Sequence, residues 1–370
     1  MSSTRCDIVA TGDLVLDEPD ADHWLSGIAP ALRAADFAIG HLEVPHTERG
    51  SERAGDVPAP GAPPGNLPAL ARAGIDVVTL AGNHIADCGP QGLADTIDGL
   101  EAAGVGHCGA GANLAQARRP FLREVGGRRI AVLSYNCVGP EFAWATRDSA
   151  GCAYLPLEAQ DGGPMTPLAR VSGIPSEAFD ILHKDIAAAK EQADFVLIAM
   201  HKGRVHTPAV LESYERPLAH AAVERGADAV IGHHAHIARG IEFHRGKPIF
   251  HGLGNGCVVT RALSPTQDHA ARREWAERRK RLFGFEPEPG YDLAPFHPEA
   301  KLALLGKLTL VSGGAVQASI VPVYVEPPGR PVLAVGERAE QVRRYIEQIT
   351  VAAGLPAIVI GDDGRVSEAG

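Results

Sequence analysis

Short apolar runs rich in Val and Ile alternate along this chain with Ala/Leu-rich stretches of helical spacing. Residues 7–11, 37–40, 76–80, 195–200 and 228–231 are near-continuous apolar runs, the pattern of strands buried on both faces. Between them, residues 68–73, 90–103, 175–191 and 210–225 repeat apolar positions every three or four residues and predict helices. Where such a stretch opens on a proline, its fixed φ and missing N–H suit a first helical turn. Strands alternating with helices predict βαβ units on a mainly parallel sheet. Three stretches break the rhythm. Residues 121–136 (FLREVGGRRIAVLSYN) put a Gly-Gly turn between two strand patterns; 241–252 and 301–325 read the same way, the last turning at Gly313-Gly314. These predict hairpins that add antiparallel strands to an α/β core.

Three segments lie outside that pattern. Residues 47–65 are rich in Pro, Gly and charge and predict a loop. Residues 264–298 join a charged helix (DHAARREWAERRKRLF) to a Pro-rich run (FEPEPGYDLAPFHPEA). They interrupt the chain where a lid or substrate-binding insertion would be placed. Residues 326–370, with an amphipathic helix around 337–351 and a weak tail, read as an extension of a domain spanning 1–325. The 370 residues are 45% hydrophobic and 22% charged, which excludes disorder, collagen and coiled coil. A net charge of -10 argues against a general nucleic-acid binder. No apolar run approaches the roughly 18 residues of a membrane span, and the N-terminus carries no signal-peptide pattern. The six cysteines include no CxxC pair and read as reduced, buried thiols. The expectation is a cytoplasmic protein without nucleic-acid or membrane partners.

The chemistry gathers at strand ends, where open α/β sheets place ligands. In order along the chain these ends carry Thr11-Gly12-Asp13, Gly40-His41-Leu42-Glu43, Ala81-Gly82-Asn83-His84-Ile85-Ala86-Asp87, Met200-His201-Lys202-Gly203 and Ile231-Gly232-His233-His234-Ala235-His236. A lone carboxylate there is ordinarily a helix cap. Asp, Glu, Asn-His, His and His-x-His in succession are instead hard and borderline metal donors converging on one rim. In an extended His-x-His segment both imidazoles point the same way. Asp87 either caps the helix from Pro90 or orients His84. His41 and His46 read as exposed loop histidines.

This set resembles the calcineurin-like metallophosphoesterases, and within them the CapA branch named for poly-γ-glutamate capsule synthesis. Gly82-Asn83-His84-Ile85-Ala86-Asp87-Cys88-Gly89-Pro90-Gln91-Gly92-Leu93 is similar to that branch's NNHxxDxGxxGL run, and Gly109-Ala110-Gly111-Ala112-Asn113-Leu114 with Ala117-Arg118-Arg119-Pro120 to its GAGxNLxxAxxP run. Residues 226–236 and Leu253-Gly254-Asn255 match its later signatures, so the resemblance covers roughly 7–258. It implies a four-layer αββα sandwich with a metal site at one edge. By position it implies Asp13, Glu43, Asn83, His201, His234 and His236 as metal ligands and His84 as an acid/base group beside them. The departures bear on function. Val15 stands where the GDxH start has its histidine, Glu43 replaces the aspartate that bridges two metals, and His201-Lys202-Gly203-Arg204-Val205 lacks the acid of the HWGxE run. They imply a single divalent ion (Ca²⁺, Mn²⁺, Fe²⁺ or Zn²⁺) or an incomplete dinuclear site.

Three functional readings compete. One is a peptide epimerase, moving a Cα proton with histidines around a metal, as in the soluble CapA-like enzymes of lasso peptide biosynthesis, which this chain resembles. Its candidate catalytic groups are His84, Asp87, Asp13 and His297, the last from the insertion, and its substrate is the C-terminal region of a precursor peptide. The second is a metal-dependent hydrolase of phosphoesters or of amide and γ-glutamyl bonds. The third is a non-catalytic module that binds polyglutamate or another peptide.

Overall fold

A computed structural model describes residues 5–50, 53, 61–262, 268–311 and 314–369. Residues 51–52 and 54–60 of the 47–65 loop, residues 264–267 at the start of the insertion and the Gly313 side of the last hairpin turn lie outside the described residues. The apolar runs form two sheets. The eight-stranded sheet runs Arg330–Leu333, Val316–Glu326, Leu302–Leu310, Cys6–Leu16, Phe37–Leu42, Val77–Thr79, Gly106–Cys108, with Asn255–Val259 also pairing along Cys6–Leu16. The six-stranded sheet runs Ile241–His244, Lys247–Phe250, Ala229–His233, Phe195–His201, Arg128–Asn136, Phe121–Val125. Strands linked through helices pair in parallel, and the three expected hairpins pair antiparallel.

Alternation along each strand decides what covers each face. Ile8, Ala10, Phe37, Ile39 and Val77 of the first sheet pack against Ile130, Val132, Leu197, Ala199 and Ile231 of the second. Val9, Ala38 and Val78 point outward, beneath Leu32, Leu70, Leu93 and Leu100 of the helices on that side. Ala131, Leu133, Val196, Ile198 and Val230 face the opposite way, beneath Leu182, Ile186, Leu218 and Ala222 of the helices Ser176–Lys190 and Glu215–Glu224. The layers are therefore helix, sheet, sheet, helix, as expected, and strands covered on both faces read as unbroken apolar runs.

Several boundaries differ from expectation. The helix predicted from residue 210 begins only at Glu215. The first strand does not stop before Asp13. It runs on to Leu16, with register breaks on either side of Asp13 where it leaves one partner and takes up another. Gly12 permits this crossing, because a Cβ there would stand 1.8 Å from the Gly254 carbonyl oxygen. The C-terminal segment is well packed. Val342, Ile346 and Ile349 of the helix Glu337–Ala352 join the inter-sheet core, and Ile358–Ile360 pairs with Val366–Glu368. All six cysteines are buried and unbridged.

Candidate functional site

Both sheets end their parallel strands at the same edge, and donors come from each. Asp13, Glu43 and Asn83 come from the first sheet; His201, His234 and His236 come from the second. All six are buried or nearly so. The Asp13 carboxylate accepts the His234 backbone N–H at 3.2 and 3.3 Å. His201 Nε2 lies 2.7 Å from Asn83 Oδ1, 3.1 Å from His234 Nδ1 and 3.8 Å from Glu43 Oε1. His236 stands with Nε2 3.3 Å from Glu43 Oε1 and Nδ1 3.9 Å from Asp13 Oδ2, its Nδ1 also 2.9 Å from Asn255 Oδ1. All six residues implied as ligands therefore meet in one place.

The two histidines of the His-x-His segment reach the site along a backbone path that differs from the extended one expected. Residues 234–236 are not extended; His234 and His236 have φ of 87° and 53°, in the left-handed region. That backbone is costly for a residue with a Cβ, and it persists because the surroundings hold it.

His41 was missed as well. It is fully buried, not an exposed loop residue, and it closes one of two adjoining donor groups, Asp13–His41–His201 and Glu43–His201–His234. Its Nδ1 contacts Thr79 Oγ1 at 2.9 Å and its ring packs 4.6 Å from those of His201 and His233. The signal was present, since His41 and Glu43 are two apart along a strand direction and share a face. His46 is buried too, with Nδ1 2.9 Å from the Pro63 carbonyl oxygen. His233 faces inward, Nε2 3.4 Å from the Thr11 carbonyl oxygen.

The donor chemistry fits a divalent cation. Glu43 Oε2, His41 Nε2, His201 Nδ1 and His234 Nε2 are buried without a hydrogen-bond partner among the described residues. Unsatisfied buried polar atoms are rare and call for a reason. Burial pushes the His234 imidazole down to about 3 and those of His41 and His201 well below their usual range, so they are neutral, as ligands must be. Burial and the neighbouring Glu43 charge push Asp13 up to about 8. Burial is the largest influence on Glu43 and opposes its charge, but the His236 charge and hydrogen bond, with His84 and His41, together hold this carboxyl at about 2. For His236 burial is overcome by Glu43 and Asp13, which raise it to about 9. The cluster holds a proton where a metal ion would supply positive charge.

Beside the donors stands a second arrangement. His84 Nδ1 lies 2.6 Å from Asp87 Oδ2. Asp87 thus orients His84; the helix Gly89–Ala102 is preceded by Cys88 and has no side-chain cap. His84 and His206 both line an open cavity that is also lined by Glu43, Asn83, His234 and His236. Apolar wall comes from Val15, Val44, Val258 and, in the insertion, Trp275, Phe283 and Phe296, and charged groups from Asp17, Arg272 and Arg279 interrupt it. His206 was not anticipated. Its ring lies 6.1 Å from that of His236, edge-on to Phe283 and Phe285. His297 does not line this cavity; its Nδ1 accepts the Glu299 N–H at 3.1 Å, and its ring meets Phe285 at 4.6 Å.

The absent acid of the 201–205 run has a counterpart elsewhere. Lys202 is fully buried, with Nζ 2.7 Å from Glu215 Oε2, and Arg239 Nη1 is 2.9 Å from Glu215 Oε1. Arg239 also reaches the Arg204 carbonyl oxygen and Thr207 Oγ1, tying down the loop after His201.

Residues 7–258 match the family described as bacterial capsule synthesis protein PGA_cap. The chain belongs to that family. It is 34% identical over 196 residues to a probable polyglutamine synthesis accessory protein of Mycobacterium tuberculosis, covering 52% of this chain and 47% of that one. It is 27% identical over 263 residues to the capsule biosynthesis protein CapA of Bacillus anthracis, covering 69% of this chain and 58% of CapA. The chain thus spans only about half the length of the curated relatives it matches. Among solved structures, the calcineurin-like phosphoesterase YfkN of Bacillus subtilis aligns with a TM-score of 0.42 and 13% identity over 95% of this chain and 99% of that one. No helix among the described residues is long and apolar enough to cross a membrane.

Proposed function

We propose that this CapA-family protein is a divalent-metal-dependent peptide epimerase, acting on a ribosomally made, lasso-type precursor peptide. The observation that carries the reading is a pair of histidines, His84 and His206, that line the same apolar cavity as the donor cluster but belong to neither donor group. A bound divalent ion would supply a Lewis acid that polarises a substrate carbonyl and acidifies the adjacent Cα–H. The donors that fit it are Glu43, Asn83, His201, His234 and His236, with Asp13 and His41 alongside. Asp87 binds His84 Nδ1, which assigns proton exchange to Nε2. His84 takes the Cα proton on one face, and a second histidine returns a proton to the other. His206 lines the cavity and His297 stands behind Phe285, so separate His206→Ala and His297→Ala variants identify the second group.

The test is mass spectrometry of a precursor peptide incubated with protein and metal in D₂O. The expected result is uptake of a single deuterium without cleavage, abolished by chelator and lowered about 10²–10⁴-fold in His84→Ala. A hydrolase is the second reading, favoured by one observation: the donors form two adjoining groups that share His201. Cleavage fragments or released phosphate would establish it. Binding with neither outcome would leave a non-catalytic module.

A further inference from the structure

The helix Ala270–Phe283 lies outside the segment matched by the family, yet it forms one wall of the cavity. Two arginines on it face that wall in different electrostatic states. Arg272 is 3.0 Å from Asp17, which also accepts from Thr260 Oγ1 at 2.7 Å. Arg279 is 2% exposed and forms no ion pair among the described residues. Its Nη2 donates to the Phe296 carbonyl oxygen at 3.1 Å, while its Nε has no partner. The guanidinium lies 5.1 Å from the Phe285 ring centre and 5.4 Å from that of Phe296. Glu286, whose charge reaches it, is bound to Lys280 at 2.8 Å. Burial lowers Arg279 only to about 10, so it remains a cation at neutral pH. A buried cation with no carboxylate in direct contact is poorly compensated, and a ligand anion is the natural remedy.

Resting on the reading that the cavity takes a peptide-like substrate, we infer that Arg279 receives a substrate carboxylate presented beside a large apolar side chain. The planar guanidinium matches a carboxylate in two-point geometry. Trp275, Phe283 and Val258 offer the apolar wall. Two sources share this chemistry: the α-carboxylate of a peptide C-terminus, and the side chain of an internal Asp or Glu.

The test is calorimetric titration of the metal-loaded protein with three probes. These are acetyl-Gly-Gly-Phe as the free acid, the same peptide as its amide, and acetyl-Gly-Glu-Phe amide. The acid is expected to bind about ten-fold or more tightly than its amide. Arg279→Met abolishes that preference while keeping the fold and melting no lower than wild type; Arg279→Lys retains part of the preference. If the Glu-containing amide matches the acid, the side-chain carboxylate is the source; if it binds like the plain amide, the C-terminus is. Equal affinity for acid and amide, a preference that survives Arg279→Met, or no saturable binding of the acid at millimolar concentration would each overturn the assignment. Because turnover is not read, acid preference without deuterium exchange keeps the role of Arg279 and removes the epimerase. Exchange without acid preference does the reverse.

Discussion

His84 and Asp87 show how one short contact converts a sequence motif into chemistry. A histidine in a cavity wall is ordinarily a packing residue; a carboxylate 2.6 Å from its Nδ1 fixes the tautomer and stabilises the imidazolium. Neither residue belongs to the donor groups, so their removal separates proton transfer from metal binding. Asp87→Asn is expected to slow deuterium uptake about 10- to 100-fold and leave metal content unchanged. Single-turnover exchange rates and metal analysis of the same preparation check this. Loss of the metal together with activity would make Asp87 a structural support of the cluster. At this scale the donor types were legible because they recur at strand ends, whereas His41 was hidden by its reading as a loop residue. Its burial depends on the neighbouring Thr79, His201 and His233, which the chain order does not bring together.

At the scale of elements, strands buried on both faces were plain in the sequence, since an unbroken apolar run has few other uses in a soluble chain. The strand that carries Asp13 was harder. Its crossing at Gly12 is set by the approach of Gly254, which lies more than two hundred residues away in the chain. The left-handed backbone at His234 and His236 is likewise a tertiary result that no local pattern announces. The helix Glu215–Glu224 begins late; ahead of it a single turn is closed by the Glu215 N–H on the Glu212 carbonyl oxygen at 3.0 Å and by the Glu212 N–H on Glu215 Oε1 at 2.8 Å, and the same carboxylate binds Lys202 and Arg239. That network gives a prediction for the loop after His201. Glu215→Ala leaves Lys202 and Arg239 buried without their anion, a change expected to cost about 3–5 kcal/mol. Urea unfolding should show the loss, and isothermal titration should show weaker divalent-metal binding, because Arg239 holds the loop that follows His201. Unchanged stability would mean that both cations find water or another anion.

The two large sheets share one core, and their donor-bearing ends meet at one edge. A metal ion there would bind donors from both sheets and act as a staple between them. At a hundred-fold excess over Kd, linkage gives about 2.7 kcal/mol of added stability. The direction with pH follows from the two groups that titrate upward. Asp13 has an ordinary value of 3.8 and about 8 in the fold, and His236 moves from 6.5 to about 9. Each therefore contributes stability below its unfolded value and loses it as pH rises through the folded one. Glu43, held at about 2, acts in the opposite sense and only in acid, and the neutral buried histidines lower stability only below 6.5. Between pH 6.5 and 9, then, the chelator-treated protein should lose melting temperature. Metal-loaded protein should lose less or gain, because rising pH removes the protons that compete with the ion. Thermal melts at both pH values, with chelator and with saturating Mn²⁺ or Zn²⁺, test this. A metal-independent melting temperature would rule out the staple. A chelated protein more stable at pH 9 than at 6.5 would show that Asp13 and His236 do not share the charge as this geometry requires.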